Sequence, residues 1–176
     1  MTIEEAQREM RTVFLGGSVG QAVSGAIWLV SAALGTLVSA RYGLIALFVG
    51  GCFIFPLTQL AIKLSGRPAS LKSGNPLEGL ARQVAFIVPA CLPVIAGAAL
   101  YKVNWFYPAF MVVVGAHYLP FAFLYGMRKY AVLAEVLIAG GVAFAIWMPQ
   151  KFAPAGWFAG AVLVLFAIWV GFTSRR

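Results

Sequence analysis

The sequence predicts an all-α protein: a polytopic membrane bundle of six transmembrane helices arranged as three hairpins, with both termini on the cytoplasmic side. Three observations predict it. Of 176 residues, 62% are hydrophobic and 10% charged, whereas a soluble domain is nearer half apolar and a quarter charged. The apolar residues fall in six long runs without the alternation of barrel strands. The basic residues crowd into every second connection.

A bilayer core about 30 Å thick needs roughly 20 apolar helical residues. The runs place spans at 13–40, 44–62, 84–101, 108–125, 131–148 and 156–173, in a single transmembrane domain covering 1–176. Ahead of the first span, Thr2 and Glu5 form a capping box, so helix begins before the membrane. Ile3, Ala6, Met10 and Phe14 share one side of that start, which fits the membrane interface. Val38-Ser39-Ala40 resembles a signal cleavage site, but the preceding apolar run far exceeds the roughly 7–15 residues of a signal peptide, so the span is retained. Segment 63–82 is the one long connection and is expected in the cytoplasm. Within it Asn75-Pro76-Leu77-Glu78 reads as a cap, a first-turn proline and an acid at the positive helix end, which starts the third helix in water. Pro149 closes the fifth helix and Pro154 opens the sixth. Pro56, Pro89, Pro93 and Pro120 lie inside spans, where each removes a backbone hydrogen bond. The freed carbonyls find partners or line a wet cavity; simple helix shape is the bland account.

Charge sets direction. Arg8, Arg11, Lys63, Arg67, Lys72, Arg82, Arg128, Lys129, Arg175 and Arg176 fall on one side, and Arg41, Lys102 and Lys151 on the other, ten against three. Cytoplasmic termini follow. Tyr42, Tyr101, Trp105, Tyr107, Trp147 and Trp157 are expected at the outer boundary, with Tyr125 and Tyr130 at the inner one. The net charge of +8 has no basic stripe or nucleic-acid motif behind it, so the partner is the lipid bilayer and not nucleic acid. Aligning Pro56 with Pro120 brings Gly51 beside Gly115, a hint of a duplicated hairpin that shared lipid composition also produces.

Helices in lipid associate through small residues and interhelical hydrogen bonds. Gly17, Gln21, Ser24, Trp28, Ser31 and Gly35 fall on one face of the first span. Gly16 with Gly20, and Gly156 with Gly160, each make a G-x-x-x-G. These are packing positions, and they also offer the face for a homo-oligomer.

The polar layer is lopsided. His117, the single histidine, lies about 12 Å from the inner end of its span at 1.5 Å per residue, and Glu135 reaches similar depth in the next. Ionisable groups in lipid should face the bundle or water and find a partner. A cytoplasm-facing cavity formed by His117, Tyr118, Glu135, Gln59, Gln21 and Ser24 is the functional expectation. The bland one has Glu135 snorkelling to Arg128 or Lys129, and His117 bonded to one carbonyl.

Most site chemistry is disfavoured. Gly16-Gly17-Ser18-Val19-Gly20 matches G-x-S-x-G but starts a membrane helix, not a strand-to-helix elbow. One histidine and no aspartate give no usual zinc set, and neither a phosphate loop nor a dinucleotide fingerprint is present. Cys52 and Cys91 sit in apolar runs as small buried hydrophobes. No catalytic residue, metal or cofactor is expected.

Residues 104–127, NWFYPAFMVVVGAHYLPFAFLYGM, with GNPLEGLARQVAFIVPACLP and EEAQREMRTVFLGGSVG, resemble an uncharacterised family of short bacterial six-helix membrane proteins. That resemblance covers most of the chain. It implies a fold and a bacterial inner-membrane setting, and it supplies no activity or catalytic residues. Two functional readings follow. One is transport of a small molecule, ion or proton, or ligand binding, through the polar layer, with His117 titrating and Glu135 as its relay partner. The other is a non-transporting structural or stress-related protein whose polar residues only specify packing.

Overall fold

The computed structural model describes residues 1–66, 70–71 and 74–173, the last without its side chain. The predicted basic positions Arg67, Lys72, Arg175 and Arg176 lie outside the described residues. Among those described there are helices and no strand. They are α1 (Ile3–Val13), α2 (Ser18–Leu37), α3 (Ala40–Leu64), α4 (Glu78–Ala85), α5 (Ile87–Tyr101), α6 (Phe106–Leu124), α7 (Lys129–Trp147) and α8 (Pro154–Thr173). Six segments are long and apolar enough to cross a membrane: Leu15–Leu37, Ala40–Leu64, Glu78–Tyr101, Val103–Leu124, Lys129–Trp147 and Pro154–Phe172.

The helix expected to run from the capping box into the first span is instead divided in two. Residue 13 ends α1, and a 3₁₀ turn over Leu15–Gly17 precedes α2. Leu15, Gly16 and Gly17 have φ of 53°, 61° and 83°. Glycine adopts that region freely and leucine does not, so the Gly-Gly pair makes the break possible and Leu15 carries its strain. α1 is therefore a separate amphipathic helix that buries Ala6, Met10 and Val13. Its capping box is formed: Glu5 N–H donates to Thr2 Oγ1 at 3.2 Å, and Thr2 N–H donates to Glu5 Oε2 at 2.8 Å. That backbone bond from Thr2 is the main reason the Glu5 carboxyl is held below the ordinary carboxylate range. A depressed folded-state pKa gives support that is present above the unfolded value and lost as pH falls through the folded one. Protection of the first-turn amides of α1 against exchange should therefore fall as pH drops below 4.5, and Glu5→Gln should remove that pH dependence.

Side chains of α1 fasten it to the end of α6. Gln7 Nε2 donates to the Phe123 carbonyl at 2.6 Å, and the Arg11 guanidinium donates to the Tyr125 carbonyl. Carbonyls at a helix C-terminus lack intrahelical partners, so these bonds close an open account. Asn75, expected to cap the third helix directly, instead bridges. Its Oδ1 accepts from Leu77 N–H at 2.9 Å, while Nδ2 donates to the Ala6 carbonyl at 3.3 Å and to Glu9 Oε2 at 2.9 Å. Helix begins only at Glu78. The third span then breaks at Phe86 between α4 and α5. Pro89 explains the break, because its ring nitrogen cannot donate to the Ala85 carbonyl four residues back. Pro56, Pro93 and Pro120 remain inside continuous helices.

α2 packs closely on α3 and α8, and α6 on α7 and, less closely, on α5. α8 completes the core by touching α6 and α7. The intimate pairs meet where glycine removes the Cβ. A Cβ on Gly25 would lie 2.7 Å from Val164 Cγ2 and 3.1 Å from the Gly160 carbonyl oxygen, so α2 and α8 run in backbone contact. Gly43 does the same for α3 on α2, and Gly115 and Gly141 for α6 on α7. α2 and α6 stand further apart, and large rings fill the gap. Trp28 lies 5.8 Å from Tyr107 and 5.4 Å from Phe110 between ring centroids. By contrast, the close packing of α3 is with α2, and that of α5 with α6 and the flanking α4.

Candidate functional site

Two buried polar clusters lie along the seam between α2 and α6. At one end, Ser31 Oγ donates to the Gly43 carbonyl at 2.7 Å and lies 2.6 Å from the Tyr107 hydroxyl. Serine has one hydroxyl proton, so Tyr107 is the donor of the second bond. Three helices are joined by two hydroxyls. Tyr107 is fully buried, with the Phe152 ring centroid at 4.8 Å and Gly156 against its face. Sequence placed Tyr107 in the outer aromatic belt; its hydroxyl has a buried partner, and that draws the ring inward.

At the other end, Tyr130 donates to the Gly16 carbonyl at 2.7 Å, which satisfies the backbone opened by the 3₁₀ turn. Gln21 and Ser24 on α2 lie beside Tyr118, and Gln21 also lies near Tyr130. Ring centroids of Tyr125 and Phe166 lie 5.4 Å and 5.0 Å from Tyr130. Tyr125 and Tyr130, at the end of α6 and the start of α7, are buried in the core. Gln21 is 4% exposed, and its Oε1 has no hydrogen-bond partner among the described residues.

Of the predicted cavity residues, Gln21, Ser24 and Tyr118 are brought together. His117 follows the next direction around α6. Its ring lies 5.0 Å from Phe121 and meets the Val84 backbone on α4, while Nδ1 is buried without a hydrogen-bond partner among the described residues. Glu135 is not gathered in; it is exposed on α7. The buried stripe of that helix is Tyr130, Leu133, Ala134, Leu137 and Gly141, and Glu135 lies about 140° around from it at 100° per residue. Gln59 is half-buried on α3. A basic cavity beside α1 and an apolar groove along α7 and α8 are lined by other residues.

The glycine positions divide similarly. Gly156 and Gly160 lie on α8 against Tyr107 and Leu29, inside the chain. Gly16 belongs to the 3₁₀ turn and Gly20 to α2, so that G-x-x-x-G does not run along one helix. Among the described residues no three His, Cys, Asp or Glu converge as a metal set. Sequence reasoning names Tyr107, Tyr130 and Asn75 but not the tertiary partners they hold. Near a span end a tyrosine reads as a boundary residue, and nothing local announces partners 69, 76 or 114 residues away.

Six membrane-length apolar helices, with a buried hydroxyl network, define a multi-pass helical membrane protein. Within that class the chain belongs to the family of unknown function DUF7010, whose model matches residues 3–173. No curated protein and no solved structure matches the chain.

Proposed function

We propose that this protein is a fixed scaffold of the bacterial inner membrane, with both termini cytoplasmic and its helices inserted as three hairpins. In this reading its polar core locks helices together and lines no transport path. The ten-to-three distribution of basic residues supports the orientation. So does the meeting of α1, Asn75 and the α6–α7 turn at one end. The observation that carries the scaffold reading is how the buried hydroxyls are used. Ser31 is spent on Gly43, Tyr107 on Ser31 and Tyr130 on Gly16, so each of these three hydroxyls joins separate segments.

A double-mutant cycle tests it. Ser31→Ala and Tyr107→Phe should each cost about 1–3 kcal/mol as buried bonds are broken. Because they share a bond, their effects should be non-additive by about 0.5 kcal/mol or more. Proteoliposomes of the wild-type protein should pass neither protons nor ions, and reporter fusions should report both ends inside. Specific flux lost on substitution of core polar groups would overturn the scaffold.

Two orphaned acceptors, Gln21 Oε1 and His117 Nδ1, favour a second reading in which the polar layer binds or passes a donor such as a small polar solute or a proton. That reading requires His117→Ala to change flux or binding. An unchanged rate in that variant removes it.

A further inference from the structure

Four of the basic residues at the α1 end converge. Arg8 and Arg11 from α1, with Arg128 and Lys129 from the start of α7, line a cavity of about 570 Å³ completed by Thr12 and the Gly126–Met127 turn. Among the described residues no acidic side chain lines it. Its size falls in the range of small-molecule sites, about 300–1,000 Å³.

The walls are held in place. Arg11 is half-buried and bonded to the Tyr125 carbonyl, and Gln7 on Phe123 keeps α1 from shifting. The Lys129 ammonium lies 4.6 Å from the Trp169 ring centroid. Arg8 and Arg128 are exposed at the rim. Glu9, between Arg8 and Arg11 on α1, is the nearest acid in sequence, and its Oε2 accepts from Asn75 Nδ2 at 2.9 Å; the Glu5 carboxylate is engaged by Thr2. The first turn of α7, a helix of 19 residues, adds its positive dipole end. Arg8, Arg11 and Arg128 bring three like charges to one hollow, and a bound anion relieves their repulsion.

The surroundings say which anion. Trp169, beside Lys129, is exposed, and so are Val132 and Val136 along the outward face of α7. An apolar groove of about 540 Å³ begins at Val136 and runs past Gly140 and Ala143 to Trp147, with Phe158 from α8. Val136 is roughly 10 Å along the axis from Lys129. A hydrocarbon chain attached to a group in the basic cavity would descend that face into the groove. Basic pockets at the cytoplasmic ends of membrane helices suit phospholipid headgroups.

We propose that this cavity binds a phosphate group, carried by an anionic phospholipid whose acyl chain lies along α7. The test titrates the purified full-length chain in neutral detergent with phosphatidylglycerol, phosphatidylcholine and, separately, inorganic phosphate, following bound lipid by native mass spectrometry and phosphate by calorimetry. Phosphatidylglycerol should bind in preference to phosphatidylcholine, and more weakly as salt rises. Arg8→Gln with Arg128→Gln should weaken it roughly thirtyfold, about fivefold for each charge near an anionic surface. Arg8→Lys with Arg128→Lys should keep most of the affinity, which separates loss of charge from loss of fold. Both arginines are exposed, so the glutamine variant should melt like the wild type. Inorganic phosphate bound as tightly as the lipid, and lost in the same variant, supports the phosphate site with a soluble ester as its source. Equal binding of the two lipids with no phosphate binding, or a glutamine variant that binds like the wild type, overturns it.

Discussion

Gly17→Ala lowers the stability of the detergent-solubilised protein by about 2–5 kcal/mol, the sum of two independent penalties. The first is local. Gly17 has φ of 83°, a left-handed geometry that costs an alanine about 1–2 kcal/mol. The second is tertiary. An added Cβ would lie 2.0 Å from the Tyr130 hydroxyl and 3.3 Å from Tyr130 Cζ. The tyrosine cannot retreat, because its ring is fully buried between Tyr125, Phe121 and Phe166. It must give up the Gly16 carbonyl, and breaking that buried bond costs a further 1–3 kcal/mol or so. Equilibrium unfolding in mixed micelles measures the effect. Tyr130→Phe alone should show only the hydrogen-bond part. Added to the Gly17→Ala background, it should cost little more, since the bond is already gone. Equal and additive losses would mean that Gly17 and Tyr130 do not share this contact.

Gly25→Leu should separate α2 from α8. The first added carbon already meets Val164 Cγ2 at 2.7 Å, Val164 N at 3.0 Å and the Gly160 carbonyl oxygen at 3.1 Å. Two of those atoms are backbone and cannot rotate away. Overpacking costs about 1–3 kcal/mol and occasionally more, and a leucine brings three further carbons into the same space. Replacing glycine in a water-exposed helix would return about 1 kcal/mol of helix propensity. In a bilayer the separated segments are already helical, since bare backbone in hydrocarbon is prohibitive, so that gain is largely missing. The expected loss is about 3 kcal/mol or more, read from the unfolding midpoint. Gly51→Leu is the matched control. Nothing lies within 4 Å of a Cβ there, and its stability should match the wild type.

How far this architecture can be read from the chain differs by feature. Spans were legible because hydrocarbon imposes length and composition directly, residue by residue. Helices α6 to α8 begin and end within about two residues of the runs that announced them. Where geometry rather than polarity decides, reading failed. The Leu15–Gly17 turn contains only residues that an apolar helix also tolerates, so the sequence reads as one unbroken helix from the capping box into the first span. The polar layer was half legible. Gln21, Ser24 and Ser31 sit on the predicted face of α2, and burial follows from helical spacing. Glu135 was drawn in by depth alone. Depth gives no azimuth, and the buried stripe of α7 passes on its other side. His117 was singled out for its rarity, yet hydroxyls that looked like boundary decoration, Tyr107 and Tyr130, make the bonds between helices. The basic cavity was hidden by arithmetic, since a tally of charges per side erases which of them touch.

The uneven grip on α3 and α5 has a consequence for how this chain can change over time. Only 11% of the α3 span and of the third span lies inside the molecule, against 44% for the spans of α6 and α8. Selection sees those two outer helices mainly as oil-soluble rods, so nearly any apolar side chain will serve on their outward faces. For α2, α6, α7 and α8 it sees shape, down to a single carbon at Gly25. Variation should therefore collect at the perimeter, and new attachments to other membrane components can arise there without disturbing the centre.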